Sequence, residues 1–148
     1  SYVGMQLKHA GYDALIVEGR SRLPCYLWIT DEGVEIRDAT HLWGKNTWET
    51  LDAIREENND PKLHVISIGP AGENLVRGAC VIQDRNRAFG RCGTGAVLGS
   101  KNLKAVVCKG KKPIEVADRE RFMRAAEACR KRILECDETE RFRKYNTL

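Results

Sequence analysis

The stretch from Asp84 to Gly110, D-R-N-R-A-F-G-R-C-G-T-G-A-V-L-G-S-K-N-L-K-A-V-V-C-K-G, constrains this chain more than any other part of it. Gly90, Gly93, Gly95 and Gly99 fall close together, among Arg85, Arg87, Arg91, Lys101 and Lys104. Glycine lets a backbone approach a ligand closely and adopt positive φ. The uncovered N–H groups of such a backbone cradle anions, as a nest or a helix start does. Arginine adds forked donors that match phosphate. The stretch therefore predicts a seat for a phosphorylated or otherwise anionic cofactor.

The charge distribution points to the same place. The chain's net charge is +4, but residues 1–83 carry −4, residues 84–112 carry +7 and residues 113–148 carry +1. A local basic block also suits a nucleotide- or nucleic-acid-binding module. Such a module usually adds aromatic platforms for bases, and Phe89 is the only aromatic residue in the block. The expected partners accordingly exclude nucleic acid.

With 148 residues, a single well-buried domain is the starting expectation. No apolar run approaches the ~20 residues of a membrane span, and no signal peptide is visible. The chain opens at Ser1 without a methionine and ends at Leu148 with no sign of a natural terminus, which suggests an excerpt or a processed product. The six cysteines, Cys25, Cys80, Cys92, Cys108, Cys129 and Cys136, include no C-x-x-C, so zinc-ribbon and ferredoxin spacings are absent. Cys25, Cys80 and Cys108 sit in apolar runs and read as small core residues. Reduced thiols in a cytoplasmic protein are expected rather than a disulfide framework.

Along the chain, Val3 to Ala10 reads as a short helix ending at Gly11, and Ala14 to Val17 as a buried strand. Cys25–Thr30, the turn Asp31-Glu32-Gly33 and Val34–Arg37 predict a hairpin, with Trp28 and Trp43 in the core. His41 has the chemistry of a catalytic base, although a structural hydrogen bond or a solvent-facing position suits it better. Asn46 and Glu49 resemble a capping box before a stripe of Trp48, Leu51 and Ile54. His64–Ile68 reads as a strand with His64 at its edge, Gly69–Gly72 as a sharp turn, and Ala79–Ile82 as a buried strand leading to Asp84. Glu73 or Asn74 could hold a ligand or simply serve the turn. Asp118 is a good N-cap for a helix from Arg119 to about Glu135, whose face of Phe122, Ala125, Ala126, Cys129, Ile133 and Cys136 suits burial against another helix.

The chain also echoes itself. A shift of 91 residues lays Gly4 on Gly95, Leu7 on Leu98, Ala14 on Ala105 and Gly19 on Gly110. Both copies read as glycine, short helix, turn, buried strand, glycine, which predicts a duplicated unit with two related glycine corners.

Four segments carry a family resemblance: A-G-Y-D-A-L-I-V-E-G (10–19), V-E-I-R-D-A-T-H-L-W-G-K (34–45), I-G-P-A-G-E-N-L-V-R (68–77) and R-A-F-G-R-C-G-T-G-A-V-L-G-S-K-N-L-K-A (87–105). In order and spacing they closely resemble the N-terminal domain of the aldehyde ferredoxin oxidoreductase family, over about residues 1–116. The resemblance implies an α+β fold: a duplicated, β-rich, saddle-like domain with short helices, incomplete at its N-terminus. Residues 117–148 would then begin a following helical domain.

In the family, this domain carries a tungsten or molybdenum bis-pterin cofactor whose phosphates are bridged by Mg2+. The resemblance implies that Arg87, Ala88, Gly90, Arg91, Gly93 and Gly95 bind the cofactor, and that the Ala88 carbonyl contributes to Mg2+. The asparagine-serine-glycine of the matching corner would precede this chain. The 4Fe-4S cluster and the acid–base residues belong to later domains, so none of the six cysteines is assigned as a ligand. The parent enzyme would oxidise aldehydes to carboxylic acids and pass electrons to ferredoxin or an electron-transfer subunit. Its other domains are expected partners, homo-oligomerisation is open, and the fragment alone would be inactive. Gln83, Phe89 and Cys92 depart from the usual pattern, which leaves a related member such as a benzoyl-CoA reductase catalytic subunit as the alternative. Cys92 suits a steric filler better than a contact to pterin or metal sulfur.

Overall fold

The computed structural model describes residues 2–146. Ser1, Thr147 and Leu148, and with them the chain ends on which the excerpt reading rests, lie outside the described residues. The chain divides into two compact units, 1–113 and 114–148.

The first unit is a mixed sheet with helices on both faces. Its elements are α1 (Tyr2–His9), β1 (Cys25–Thr30), β2 (Gly33–Asp38), a 3-10 turn at Thr40–Leu42, α2 (Thr47–Glu57), β3 (His64–Ser67), α3 (Pro70–Glu73), β4 (Val81–Gln83), β5 (Arg87–Phe89), α4 (Thr94–Ser100) and β6 (Leu103–Lys109). The strand order is β2-β1-β6-β3-β4-β5. Only β1 and β6 run parallel, and the remaining neighbours are antiparallel. The expected α+β class holds.

Side-chain alternation along the central strands makes two cores, as a half-buried pleat requires. On one face Tyr26, Ala105, Val107 and Val65 meet Leu51 and Ile54 of α2. On the other, Leu27, Ile29, Val106 and Cys108 meet Val3 of α1, with Leu7 and Leu98 packed alongside. The capping box at the start of α2 forms as expected: the Asn46 side chain accepts from the Trp48 and Glu49 amides, and Glu49 reaches back to the Asn46 amide. Trp28 and Trp43 are half-buried at the margin of the core.

Three expectations need correction, and one strand was not foreseen. Ala14–Val17 is extended but forms no strand, and Ile16 is 84% exposed. A strand needs a partner, and this segment pairs with neither edge strand of the sheet, β2 or β5. The echo thus holds for the helices α1 and α4, but among the described residues only β6 of the two predicted strands forms. Gly69–Gly72 enters a short helix, α3, rather than a bare turn. Trp48 leaves the α2 core stripe and is 55% exposed. Finally, the chain reverses at Asp84–Asn86 and adds β5, an edge strand that pairs Arg87 with Gln83 and Phe89 with Val81.

The second unit holds α5 (Arg119–Glu135) and α6 (Asp137–Tyr145). Asp118 caps α5 by accepting from the Arg121 amide at 2.9 Å. Neither helix has a buried residue, so the expected apolar face of Phe122, Cys129 and Ile133 is uncovered.

Candidate cofactor site

The glycine block folds into an exposed corner at the edge of the sheet. β5 leaves β4, residues 90–93 turn, and α4 starts at Thr94. Every residue from Arg85 to Cys92 is exposed. Cys92 and Gly93 take successive left-handed conformations, with φ of 68° and 62°. Gly93 is also pressed against the Arg77 carbonyl, where a side chain would overlap it. The amides of Arg91, Cys92 and Gly93 donate to no backbone oxygen among the described residues. Around Gly90 a Cβ would meet nothing within 4 Å.

The basic side chains of the corner divide into engaged and unengaged groups. Arg85 forms a two-pronged ion pair with Asp52, at 2.8 and 2.9 Å. Lys101 donates to the Gly19 carbonyl at 3.0 Å. Lys104 is buried and bound to Glu73. Among the described residues, Arg87 and Arg91 have no carboxylate partner and no hydrogen bond from the guanidinium. Arg87 also lines a cleft of about 370 Å³ with Gln83, Asn86, Ala88 and Phe89. Two unpaired arginines and three open amides on one exposed corner, with room at Gly90, fit an anionic group.

Gly95 differs from the other corner glycines. It is buried, its amide donates to the Ala79 carbonyl at 2.9 Å, and a Cβ would sit 2.7 Å from the Cys80 oxygen. It thus brings α4 close to the chain ahead of β4 and has no amide to offer an anion. Gly99 plays a similar part against Gly72 of α3, whose carbonyl occupies the space a Cβ would need. The sequence pattern merges these packing glycines with the open one at Gly90.

Beneath the corner lies a polar knot that the sequence did not disclose. Lys104, with no exposed surface, donates to Glu73 and to the Lys45 carbonyl, the latter at 2.7 Å. Both Glu73 oxygens accept from the Gly44 amide, at 2.9 and 3.0 Å. Burial draws the Lys104 ammonium below the ordinary lysine value, opposed by the adjacent Glu73 carboxylate. Glu73 is therefore committed to a structural network, and Asn74 turns back to the Pro70 carbonyl.

His41 lies outside the corner. It has carboxylate company that the sequence did not announce: Glu57 bonds its Nε2, and Asp38 lies 3.9 Å from its Nδ1. All six cysteines are free thiols; Cys25 and Cys108 are buried, and Cys92, Cys129 and Cys136 are exposed. Burial pushes the Cys108 thiol up to about 11. No group of three or more metal-ligating side chains converges among the described residues, and none of their helices is long and apolar enough to cross a membrane.

Together these features define a mixed α+β platform domain with an uncovered, glycine-bearing basic corner at one edge of its sheet. The chain belongs to the aldehyde ferredoxin oxidoreductase family: residues 1–110 match the model of the family's N-terminal domain. It is 55% identical over 122 residues to the tungsten-containing aldehyde ferredoxin oxidoreductase of Thermococcus kodakarensis, and 53% identical to that of Pyrococcus furiosus. Each alignment takes in 82% of this chain but only 20% of the relative, so the chain spans one fifth of their length. Among solved structures, the active-site complex BamBC of benzoyl coenzyme A reductase superposes with a TM-score of 0.86 at 43% identity, over 92% of this chain and 21% of the other.

Proposed function

We propose that this chain is the cofactor-platform domain of a tungsten-dependent oxidoreductase that binds a bis-pterin cofactor. The reading rests on one observation: Arg87 and Arg91 are unpaired on the same exposed corner that carries the open amides of residues 91–93. The family's tungsten-containing relatives support a tungsten–pterin group as the anionic ligand. When bound, the tungsten–pterin group provides the two-electron chemistry, and the protein provides position and electrostatics.

In this scheme the Arg87 and Arg91 guanidinium groups neutralise the cofactor's phosphate. The main chain at Gly90 approaches the pterin without side-chain interference, and Gly93 offers its amide. Gly95 contributes indirectly, by holding α4 against the segment ahead of β4. The position of β5 at the sheet edge leaves one side of its backbone free of strand pairing, and the Ala88 carbonyl would be a ligand for Mg2+, which would supply positive charge to the cofactor's phosphates. The 4Fe-4S cluster, if the parent follows its family, is held by residues beyond this chain. The parent would oxidise aldehydes to carboxylic acids in the cytoplasm, with ferredoxin or an electron-transfer subunit as acceptor. The remaining domains of the parent enzyme are the first partners of this platform.

The decisive experiment replaces Arg87 with alanine in the full-length protein, purified without oxygen. Tungsten and pterin per polypeptide should fall several-fold. Full occupancy would sink the assignment. The high structural similarity to the benzoyl-CoA reductase complex favours one second reading, a parent acting on an aryl-CoA thioester. Parallel assays with aldehydes and with aryl-CoA substrates separate the two.

A further inference from the structure

The corner's leading edge has little to hold it. β4 and β5 are three residues each, and all three residues of β5 are exposed. So short a two-stranded tip is marginal by itself. Yet Arg87 stands on it, and an arginine that seats an anion must be held in place.

Two sets of contacts fix the reversal at Asp84–Asn86. On the sheet side, the Asp84 amide donates to the Val65 carbonyl at 2.8 Å, and the Asp84 carboxylate accepts from the Val65 amide, Gln83 and His64. On the other side, α2 reaches across. The Trp48 indole N–H donates to the Arg85 carbonyl at 3.1 Å. The Arg85 guanidinium lies over the Trp48 ring, 5.4 Å from its centroid, while Asp52, one helical turn further on, takes the same guanidinium with both oxygens. Trp48 and Asp52 stand at i and i+4 and so share a face of α2. That helix is itself anchored by its capping box and by buried Leu51 and Ile54.

We propose that Trp48, Asp52 and Arg85 form a clamp that fixes the β4–β5 reversal from α2 and thereby positions Arg87 for the anionic cofactor. This rests on the corner being the cofactor seat. The three are positioning residues, since Arg85 is engaged by the clamp and points its charge into Asp52. The exposure of Trp48 follows: its ring carries Arg85 and its N–H holds the loop backbone, so it does not belong to the core stripe that its spacing suggests.

The test uses the cofactor-loaded full-length protein and measures the rate at which tungsten is lost on dialysis well below the unfolding temperature. Asp52→Asn and Arg85→Ala should each speed that loss about two- to fivefold, the scale of a well-formed exposed ion pair. Their unfolding temperatures should stay close to the parent's. The ratio to wild type should shrink toward one near 1 M salt, where the Debye length is about 3 Å. Trp48→Phe keeps the ring but deletes the N–H, and should show a smaller acceleration that salt does not remove. The exchanged pair Asp52→Arg with Arg85→Asp should restore much of the retention. Wild-type retention in both Asp52→Asn and Trp48→Phe would overturn the clamp, as would accelerated loss matched by an equal fall in unfolding temperature. Arg87→Ala run alongside separates the layers: rapid loss there with wild-type retention in the clamp variants refutes only the clamp, whereas full retention in Arg87→Ala refutes the seat and the clamp together.

Discussion

Lys104 is a charged side chain with no contact with solvent, and its sequence context of Leu103, Ala105 and Val106 gives no warning of that. What makes it tolerable is Glu73, 31 residues earlier, together with the Lys45 carbonyl. The Glu73 oxygens also satisfy the Gly44 amide, which ties the pair to a third segment of the chain. Removing one partner of a buried pair leaves an uncompensated charge and costs about 3–5 kcal/mol. Lys104→Met should lower stability by about that amount, because it strands the Glu73 carboxylate. Glu73→Gln should cost less, since an amide oxygen still serves Gly44 and Lys104 keeps the Lys45 carbonyl. Denaturation of the full-length protein measures both, and equal losses would contradict this division of roles. The sequence could not show this knot: composition marks both residues as surface groups, and only the fold brings 73 and 104 together. The identity of Arg87 and Arg91 as basic corner residues was legible. Their freedom from carboxylate partners was not, because it depends on where Asp52 and Glu73 finally point.

Helices α3 and α4 meet through glycine backbones, and this contact separates two kinds of glycine that the sequence presents alike. Gly99 lies so close to Gly72 that an added Cβ would overlap its carbonyl, whereas a Cβ on Gly90 would meet nothing. Gly99→Ala must therefore push α4 away from α3. Overpacking of this sort typically costs about 1–3 kcal/mol, and it should also loosen the corner that α4 begins. Gly90→Ala should leave stability within about 0.5 kcal/mol and reduce cofactor retention selectively. Unfolding curves and tungsten content on the same two full-length variants check the contrast; a destabilised Gly90→Ala with normal tungsten content would reverse it. Local signals were most informative where an element carries its own punctuation. Asn46 with Glu49 marked the start of α2, and Asp118 that of α5. They misled where the outcome depends on a neighbour: Ala14–Val17 has the residues of a strand but pairs with neither edge strand of the sheet, and β5, with Arg87 and Ala88 in it, forms because β4 offers a partner.

Across the whole molecule, pairing offsets three of the eight basic side chains of residues 84–112. Arg85, Lys104 and Lys109 are matched with Asp52, Glu73 and Asp60 from the acidic first part of the chain. Of the block's arginines, Arg87 and Arg91 keep an unmatched charge at the corner. If a doubly charged phosphate sits there in the loaded protein, that charge is cancelled; in protein made without tungsten it is bare. Apoprotein should therefore bind a sulfated polyanion resin more tightly than loaded protein and elute at higher salt. Counterion release makes the elution salt sensitive to each added phosphate-like contact. The gap should close when Arg87 and Arg91 are both replaced by alanine, because both forms then lack the charges in question. An apoprotein that elutes with the loaded form would mean that the two guanidinium groups are covered in the assembled enzyme even without cofactor. A gap that survives the double replacement would place the anion's contacts elsewhere. The basic block can thus resemble a nucleic-acid patch in composition and still have another purpose: at the corner itself the unmatched guanidinium groups of the block are those of Arg87 and Arg91, on the same turn as main-chain amides suited to a compact anion.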